Sequence, residues 1–295
     1  MKIQSLSVVV PIKNCINKCK FCVSKTHDNK YPQLITIKNS YTDTEKEERN
    51  KFEFFKRLKF ARDNNCNTVV LTGTGEPIQN INYLSFFAEA NKKLPNPFLW
   101  IEIQTTGVML NDTNIEFLKN KVSVDTISLS ISNIFDNSRN SEICGMHPLL
   151  QFDLQDLCEK IKRNNFNLRL SLNLTKDYDG IDVDKIMSKA KQLNADQLTF
   201  RSLYYSNSNN NVDEWIKKNK ASEITVYRIK DFLTKNAKKL DILPFGHIKY
   251  GYDDMSVVLD NDCMSEKIKD TYKYLILREN CRLYSKWEEK SSLIY

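Results

Sequence analysis

Between residues 7 and about 205 the chain alternates short apolar, strand-like runs with longer helical patterns, and no other property narrows the fold as much. Strands are expected at 7–12, 67–72, 98–104, 124–132, 167–174 and 197–203, and helices at 44–64, 82–93, 112–120, 149–163 and 182–193. Strands separated by helices pair in parallel, because each crossover returns the chain to the same end of the sheet. The helix at 44–64 illustrates the reading. Asp43 or Thr44 serves as N-cap, Glu45, Glu47 and Glu48 sit in the first turn against the helix dipole, and Phe52, Phe55 and Leu58 form the expected buried face. At 295 residues one barrel-like domain with an appendage is favoured over two independent domains.

The strands carry a second signal. In the run 168–174, Leu168, Leu170, Leu172 and Leu174 fall on one side and Arg169, Ser171 and Asn173 on the other. Ser128, Ser130 and Ser132 alternate in the same way with Ile127, Leu129 and Ile131, as do Glu102 and Gln104 with Ile101 and Ile103. If helices cover the apolar side, the polar side faces the barrel interior. A closed barrel fills its lumen with branched apolar side chains, and a polar lumen is costly unless it meets water or a large polar ligand. The pattern therefore points to a wide, incompletely closed barrel that holds a ligand. Solvent-facing antiparallel strands would produce the same alternation, but the intervening helices disfavour them.

Directly after the first strand come Cys15, Cys19 and Cys22, spaced C-x3-C-x2-C. Three thiolates can hold a four-iron cubane while leaving one iron without a protein ligand, whereas electron carriers usually close the cluster with four. A competing reading adds His27 to make a Cys3His zinc site in a nucleic-acid-binding module without catalysis. Such a module needs neither a preceding strand nor the second motif, Gly73-Thr74-Gly75-Glu76-Pro77, which closes the strand at 67–72. With only 7 glycines in the chain, two placed here mark a demand of the backbone.

Taken together, the cysteine triplet and Gly73-Thr74-Gly75-Glu76-Pro77 resemble the radical S-adenosylmethionine (SAM) superfamily, over residues 7 to 205. The resemblance implies an α/β fold, a partial (β/α)6 barrel with a C-terminal α+β cap. It implies that Cys15, Cys19 and Cys22 bind a [4Fe-4S] cluster whose open iron is chelated by the SAM amino and carboxylate groups. Gly73, Gly75, Glu76 and Pro77 would shape the amino-group site, with Thr74 interposed where the family has adjacent glycines. Phe21 matches the aromatic that lies beside adenine. Thr105 and Gly107 resemble the family's Thr-Asn-Gly, Ser128 and Ser130 occupy the strand that often meets the ribose, and Asn173 and Arg201 are placed to bind the SAM carboxylate or substrate. The implied chemistry is reductive cleavage of SAM, with hydrogen abstraction from a substrate and an external reductant such as flavodoxin or ferredoxin. Nucleotide-modifying members share a similar barrel. A nucleotide or nucleic-acid substrate also suits the formal charge of +7 and the aromatic tail, whose rings could stack on bases. The lysine runs at 217–220 and 235–239 read as solvated helix faces.

After residue 205 the pattern changes. Residues 206–211 read as a Ser/Asn linker, helices are expected at 212–220 and 222–239, and aromatic-rich strands at 247–259 and 272–287, with a hairpin around Glu279-Asn280-Cys281. Residues 1–205 are thus the expected core and 206–295 a cap over the barrel mouth that carries specificity. Cys158 shares a helical face with Leu154, Leu157 and Ile161 and reads as core. Cys144, Cys263 and Cys281 are candidates for hydrogen-atom donation or covalent attachment, and too few cysteines cluster in the tail for a second Fe–S centre. His147 and His247 have no evident partner. No run approaches membrane-spanning length and no leader pattern is evident, so the eight cysteines point to metal binding in the cytoplasm rather than to disulfides.

Overall fold

The computed structural model describes residues 2–25, 44–207, 210–243, 246–261, 271–287 and 290–295. His27, Asp43 and Cys263, named above, lie outside them. Six parallel strands run side by side in chain order: β1 (Lys2–Val10), β2 (Thr68–Gly73), β3 (Trp100–Thr105), β4 (Thr126–Ile131), β5 (Asn167–Leu174) and β6 (Gln197–Ser202). Between them lie α1 (Thr44–Asp63), α2 (Ile81–Lys92), α3 (Asp112–Phe117), α4 (Asn137–Cys144), α5 (Leu154–Arg163) and α6 (Val183–Gln192). The mixed α/β class and parallel sheet are as expected, and the core sits between strands and helices. Leu168, Leu170, Leu172 and Leu174 are all buried, as are Leu154, Leu157, Cys158 and Ile161 of α5. Each such side chain contributes roughly 1.5–3 kcal/mol on leaving water.

Several local expectations change. β1 begins at Lys2 rather than residue 7, and because Val8, Val9 and Val10 are all buried it shows no alternation to read. On α1 the buried stripe is Phe54, Leu58 and Ala61, an i, i+4, i+7 row, while Phe52 is 60 % exposed and Phe55 half-buried. The helix expected at 149–163 starts at Leu154, where Asp153 caps it by accepting from the Asp156 amide. α4 was not anticipated. Its sequence, Asn-Ser-Arg-Asn-Ser-Glu-Ile-Cys, is mostly polar, and only the Asp136 N-cap and the left-handed Gly145 C-cap mark it.

The C-terminal segment is α+β, but its strands join the main sheet. α7 (Asn211–Asn219) and α8 (Glu223–Asn236) follow β6. Lys238 and Lys239, expected at a helix end, instead open β7 (Lys238–Ile242), an exposed edge strand that lysines protect from further pairing. The single strand expected at 247–259 is a hairpin, β8 (Ile248–Tyr252) and β9 (Met255–Asp260), turning at Asp253 with φ +48°. β9 lies parallel to β6, and β10 (Thr271–Leu277) lies parallel to β1 at the opposite edge. β11 (Leu283–Tyr284) closes the expected hairpin with β10. The order is β11-β10-β1-β2-β3-β4-β5-β6-β9-β8-β7, so the six strands of the expected partial barrel are extended in parallel by β10 at one edge and β9 at the other. Among the described residues no backbone ladder joins β9 to β10. Instead Lys273 Nζ of β10 approaches Asp260 Oδ1 of β9 to 3.7 Å across the gap. Among the described residues no helix is long and apolar enough to cross a membrane.

Candidate active site at the strand ends

In a parallel barrel the strands all finish at one end, and the loops that follow them share that end. The cysteine loop follows β1, the glycine motif follows β2 and Thr105-Thr106-Gly107 follows β3. Most of residues 11–22 lack regular structure, so hydrogen bonds from neighbouring loops must hold them. Thr74 Oγ1 donates to the Ile12 carbonyl (3.2 Å), Asn80 Nδ2 to that of Pro11 (2.8 Å) and Gln79 Nε2 to that of Asn14 (3.1 Å), while the Ile16 amide donates to Gln79 Oε1 (2.8 Å). On the far side, the amides of Lys18 and Lys20 donate to the carbonyls of Gly145 (3.2 Å) and Ile143 (3.0 Å), fixing both neighbours of Cys19 to the end of α4.

The glycines serve close approach. A Cβ on Gly73 would lie 2.6 Å from the Val10 carbonyl oxygen, and one on Gly75 would lie 2.7 Å from Ile12 Cγ2 and 3.1 Å from Cys15 Cβ. Only glycine lets the two motifs touch at this distance. Glu76 is a brace. It is buried, and one carboxylate oxygen accepts from the amide and hydroxyl of Thr106 (both 2.9 Å). Thr106 Oγ1 also accepts from Asn17 Nδ2 (2.6 Å), so Asn17, Thr106 and Glu76 tie the first three loops together. Burial pushes the Glu76 carboxyl up, and the Thr106 donors oppose that shift. The Glu76 side chain is thereby committed to its loop neighbours.

These loops enclose a cavity of about 180 Å³ lined by Cys15, Cys19 and Cys22, by Gly73, Gly75, Glu76 and Pro77, by Thr105, and by Ser128, Ser130 and Arg201 from β4 and β6. Eleven of the thirteen expected site residues thus meet in one place. Asn173 does not line this cavity, and instead donates to Ser130 Oγ (3.0 Å) and orients it. Phe21 also stands outside the lining, its ring 6.2 Å from that of Trp215 on α7. Cys144 and Cys281 line neither this cavity nor the larger one beside it. Cys144 is buried with Val108 and Met146 behind Cys19, and Cys281 donates to the Asn50 carbonyl, so burial removes both as candidates for attacking a substrate.

Burial raises the Cys15 and Cys22 thiols, and a hydrogen bond with Cys144 together with burial raises Cys19. Thiols held protonated in this way release protons when metal replaces them. Among the described residues no three His, Cys, Asp or Glu side chains converge on the position of a single ion, yet three thiols border one cavity. Three cysteine donors without a fourth fit a four-iron cluster that leaves one iron open. The buried Ser171 Oγ and Arg201 Nε have no hydrogen-bond partner among the described residues, and both residues line the same cavity, as groups meant for a polar ligand would. Sequence reasoning missed Asn17, Thr106 and Gly145. Asn17 could have been found from its place between the first two cysteines, and Gly145 from its spacing after Asp136.

Residues 9–144 match the family model described as the Radical SAM superfamily. No curated protein matches the chain in sequence. Among solved structures, native anSMEcpe with bound AdoMet aligns at a TM-score of 0.58 and 14% identity, over 99% of this chain and 76% of that one. The same protein with bound AdoMet and Cp18Cys peptide gives 0.57 and 12%, over 96% and 73%. Coproporphyrinogen III oxidase (HemN) from Escherichia coli, described as a radical SAM enzyme, gives 0.53 and 12%, over 81% and 55%. At these identities the likeness is one of fold.

Proposed function

We propose that the chain is a radical SAM enzyme of the single-cluster type that acts on a nucleotide or other polyanionic substrate, a reading supported by the family-model match over residues 9–144. A [4Fe-4S] cluster held by Cys15, Cys19 and Cys22 would supply, when bound and reduced, the electron for reductive cleavage of SAM and hence for hydrogen abstraction from the substrate. The single observation that carries the reading is the cavity shared by Cys15, Cys19, Cys22 and the Gly73 to Pro77 loop.

Cys15, Cys19 and Cys22 would hold the cluster. The backbone of Gly73, Gly75 and Pro77 would receive the SAM amino group, with Glu76 keeping that loop against Thr106. Ser128 and Ser130 would meet the ribose, Ser130 oriented by Asn173, and Arg201 would hold a carboxylate in the bidentate geometry that guanidinium favours. Phe21 would flank adenine. Thr105, which lines the cavity, also fixes the third loop, its Oγ1 accepting from the Gly107 amide (3.0 Å). Water must be kept from the reacting centre, which bound SAM and substrate would do together with the loops at the strand ends. Residues 1–205 form the chemical core in this reading, and 206–295 set specificity. A flavodoxin or ferredoxin supplies electrons, and a reducing compartment such as the cytoplasm suits a protein whose seven described cysteines are all unpaired.

The test is anaerobic reconstitution followed by addition of SAM and dithionite, with 5′-deoxyadenosine measured by mass spectrometry and Cys19→Ala as control. Product from the wild type alone supports the proposal. A protein that takes up one zinc and no iron overturns it.

A further inference from the structure

Behind the cysteine loop stands a buried cysteine that the roles assigned above do not use. Two backbone hydrogen bonds fix its place. The Lys18 amide donates to the Gly145 carbonyl and the Lys20 amide to that of Ile143, so Cys19 faces Cys144 across the pair. The side chains meet as well: Cys19 packs against the apolar group that Cys144 forms with Val108 and Met146, and the two thiols share a hydrogen bond. Cys144 is wholly buried, and so is Ser132, whose Oγ lies 3.7 Å from Cys144 Sγ. Asn140 Oδ1 lies 3.9 Å from the same sulfur, but it is already engaged by the amides of Ser132 (2.8 Å) and Asn133 (3.4 Å).

This arrangement acquires a direction when a metal replaces the Cys19 proton. The shared hydrogen bond then survives only with Cys144 as donor, and the Ser132 hydroxyl is left to donate to Cys144. The other two thiols are served from nearby backbone: Cys15 by the amides of Asn17 and Glu76, Cys22 by the amide and hydroxyl of Ser24. Cys19 draws instead on the end of α4. Ile16, Met109, Leu150 and Phe152 pack around the Cys144 group. Apolar surroundings of this kind stay dry, so no water stands in for a missing donor, and they strengthen the hydrogen bond that is made.

We propose that Cys144 is a positioning residue for the reduction step: its S–H, backed by Ser132, donates to Cys19 Sγ and raises the potential of the iron–sulfur centre that Cys19 helps to hold. Hydrogen bonds to ligand sulfurs help to set such potentials, because a donor favours the form with the extra negative charge, here the reduced one. One electron enters from the external reductant, no protein bond forms or breaks, and Cys144 keeps its proton throughout. The inference rests on the radical SAM reading for the presence of the centre, and goes beyond it in naming the residue that tunes it.

The experiment is an anaerobic potentiometric titration of the reconstituted full chain without SAM, followed by the electron paramagnetic resonance signal of the reduced centre, with iron per chain measured on the same samples. Cys144→Ala should keep its iron and become harder to reduce by at least about threefold in the reduction equilibrium, a shift of about 28 mV at about 59 mV per tenfold for one electron. Ser132→Ala should shift in the same direction, and Cys144→Ser, which retains a donor, should lie nearer to the wild type than to Cys144→Ala. The proposal is overturned if Cys144→Ala matches the wild type, as a cysteine that only fills space would predict, or if Cys144→Ser is as hard to reduce as Cys144→Ala. Should Cys144→Ala load no iron, Ser132→Ala decides, since Ser132 follows β4 and is no part of the cysteine loop: a wild-type potential there overturns the proposal, and a lower one supports it. Formation of 5′-deoxyadenosine by the wild type tests the radical reading separately. Its absence beside the expected shifts would refute that reading alone, its presence beside identical potentials would refute only the role of Cys144, and a wild-type chain without iron would overturn both.

Discussion

Replacing Gly145 by Ala tests whether the end of α4 seats the cysteine loop. Gly145 has φ +57°, and an alanine held there costs about 1–2 kcal/mol from backbone strain. Its Cβ would also lie 2.6 Å from the Lys18 carbonyl oxygen, where ordinary contact starts at 3.4 Å, so loop and helix must part by about 0.8 Å. The Lys18 and Lys20 amide bonds, already 3.2 and 3.0 Å, would then stretch or break, at about 0.5–1.5 kcal/mol each. The total is about 2–5 kcal/mol. Gly180 is an internal control, since its φ is +79° and nothing lies within 4 Å of its added Cβ, so Gly180→Ala carries the strain without the collision. Urea denaturation of both variants should show Gly145→Ala less stable than Gly180→Ala by about 1–3 kcal/mol. Iron per chain after reconstitution should fall at least twofold in Gly145→Ala only, because Cys19 lies between the two displaced residues. Equal stabilities within about 0.5 kcal/mol, together with normal iron uptake in both, would refute the argument.

Two other outcomes follow from the geometry. Thr106→Val keeps the shape but removes the hydroxyl shared by Asn17 and Glu76, so stability should drop by about 1–3 kcal/mol, and SAM affinity measured by equilibrium dialysis should fall; unchanged values would show that the three loops hold themselves. Burial pushes the Cys66, Cys158 and Cys281 thiols up to about 12 from an ordinary 9.0. The unfolded chain therefore loses these protons first, and stability present below pH 9 declines as pH rises toward 12, by about 1.4 kcal/mol per pH unit for each thiol. Alkylation at pH 8 followed by peptide mapping should leave these three unmodified in the native protein and label them in urea, and native labelling would contradict their burial.

Most of the barrel strands, β1 excepted, were readable because they present one apolar and one polar face: β5 alone declares both the helix-covered side and the polar lumen. The cysteines and the glycine motif were readable for a different reason, since metal ligation and close backbone approach accept few residue types. What escaped was decided by distant partners. Nothing within residues 238–242 tells an amphiphilic helix end from an edge strand, because pairing with β8 settles it. The segment expected to cap the barrel mouth also supplies strands to both sheet edges, a choice made by distant registers, Gln197 with Ser256 at one edge and Lys2 with Thr271 at the other. The Asn17, Thr106 and Glu76 brace is equally silent, as it joins three loops separated by tens of residues and uses side chains ordinary for any turn.

The pairing of β1 with β10 also orders events in the life of the chain. β1 comes early and β10 late, with Ser5 bonded to the Lys273 carbonyl across a separation of 268 residues. Contacts that span most of a chain are slow to form, because the closure entropy of the whole intervening loop opposes them. Until β10 arrives, the strand that delivers the cysteines has one bare edge, prone to pairing with another molecule. Closure of this edge is thus completed near the end of folding, after the partners of the cysteine loop at Thr74, Gln79, Asn80 and Gly145 have been made. A nascent chain needs protection at this first strand for longer than anywhere else.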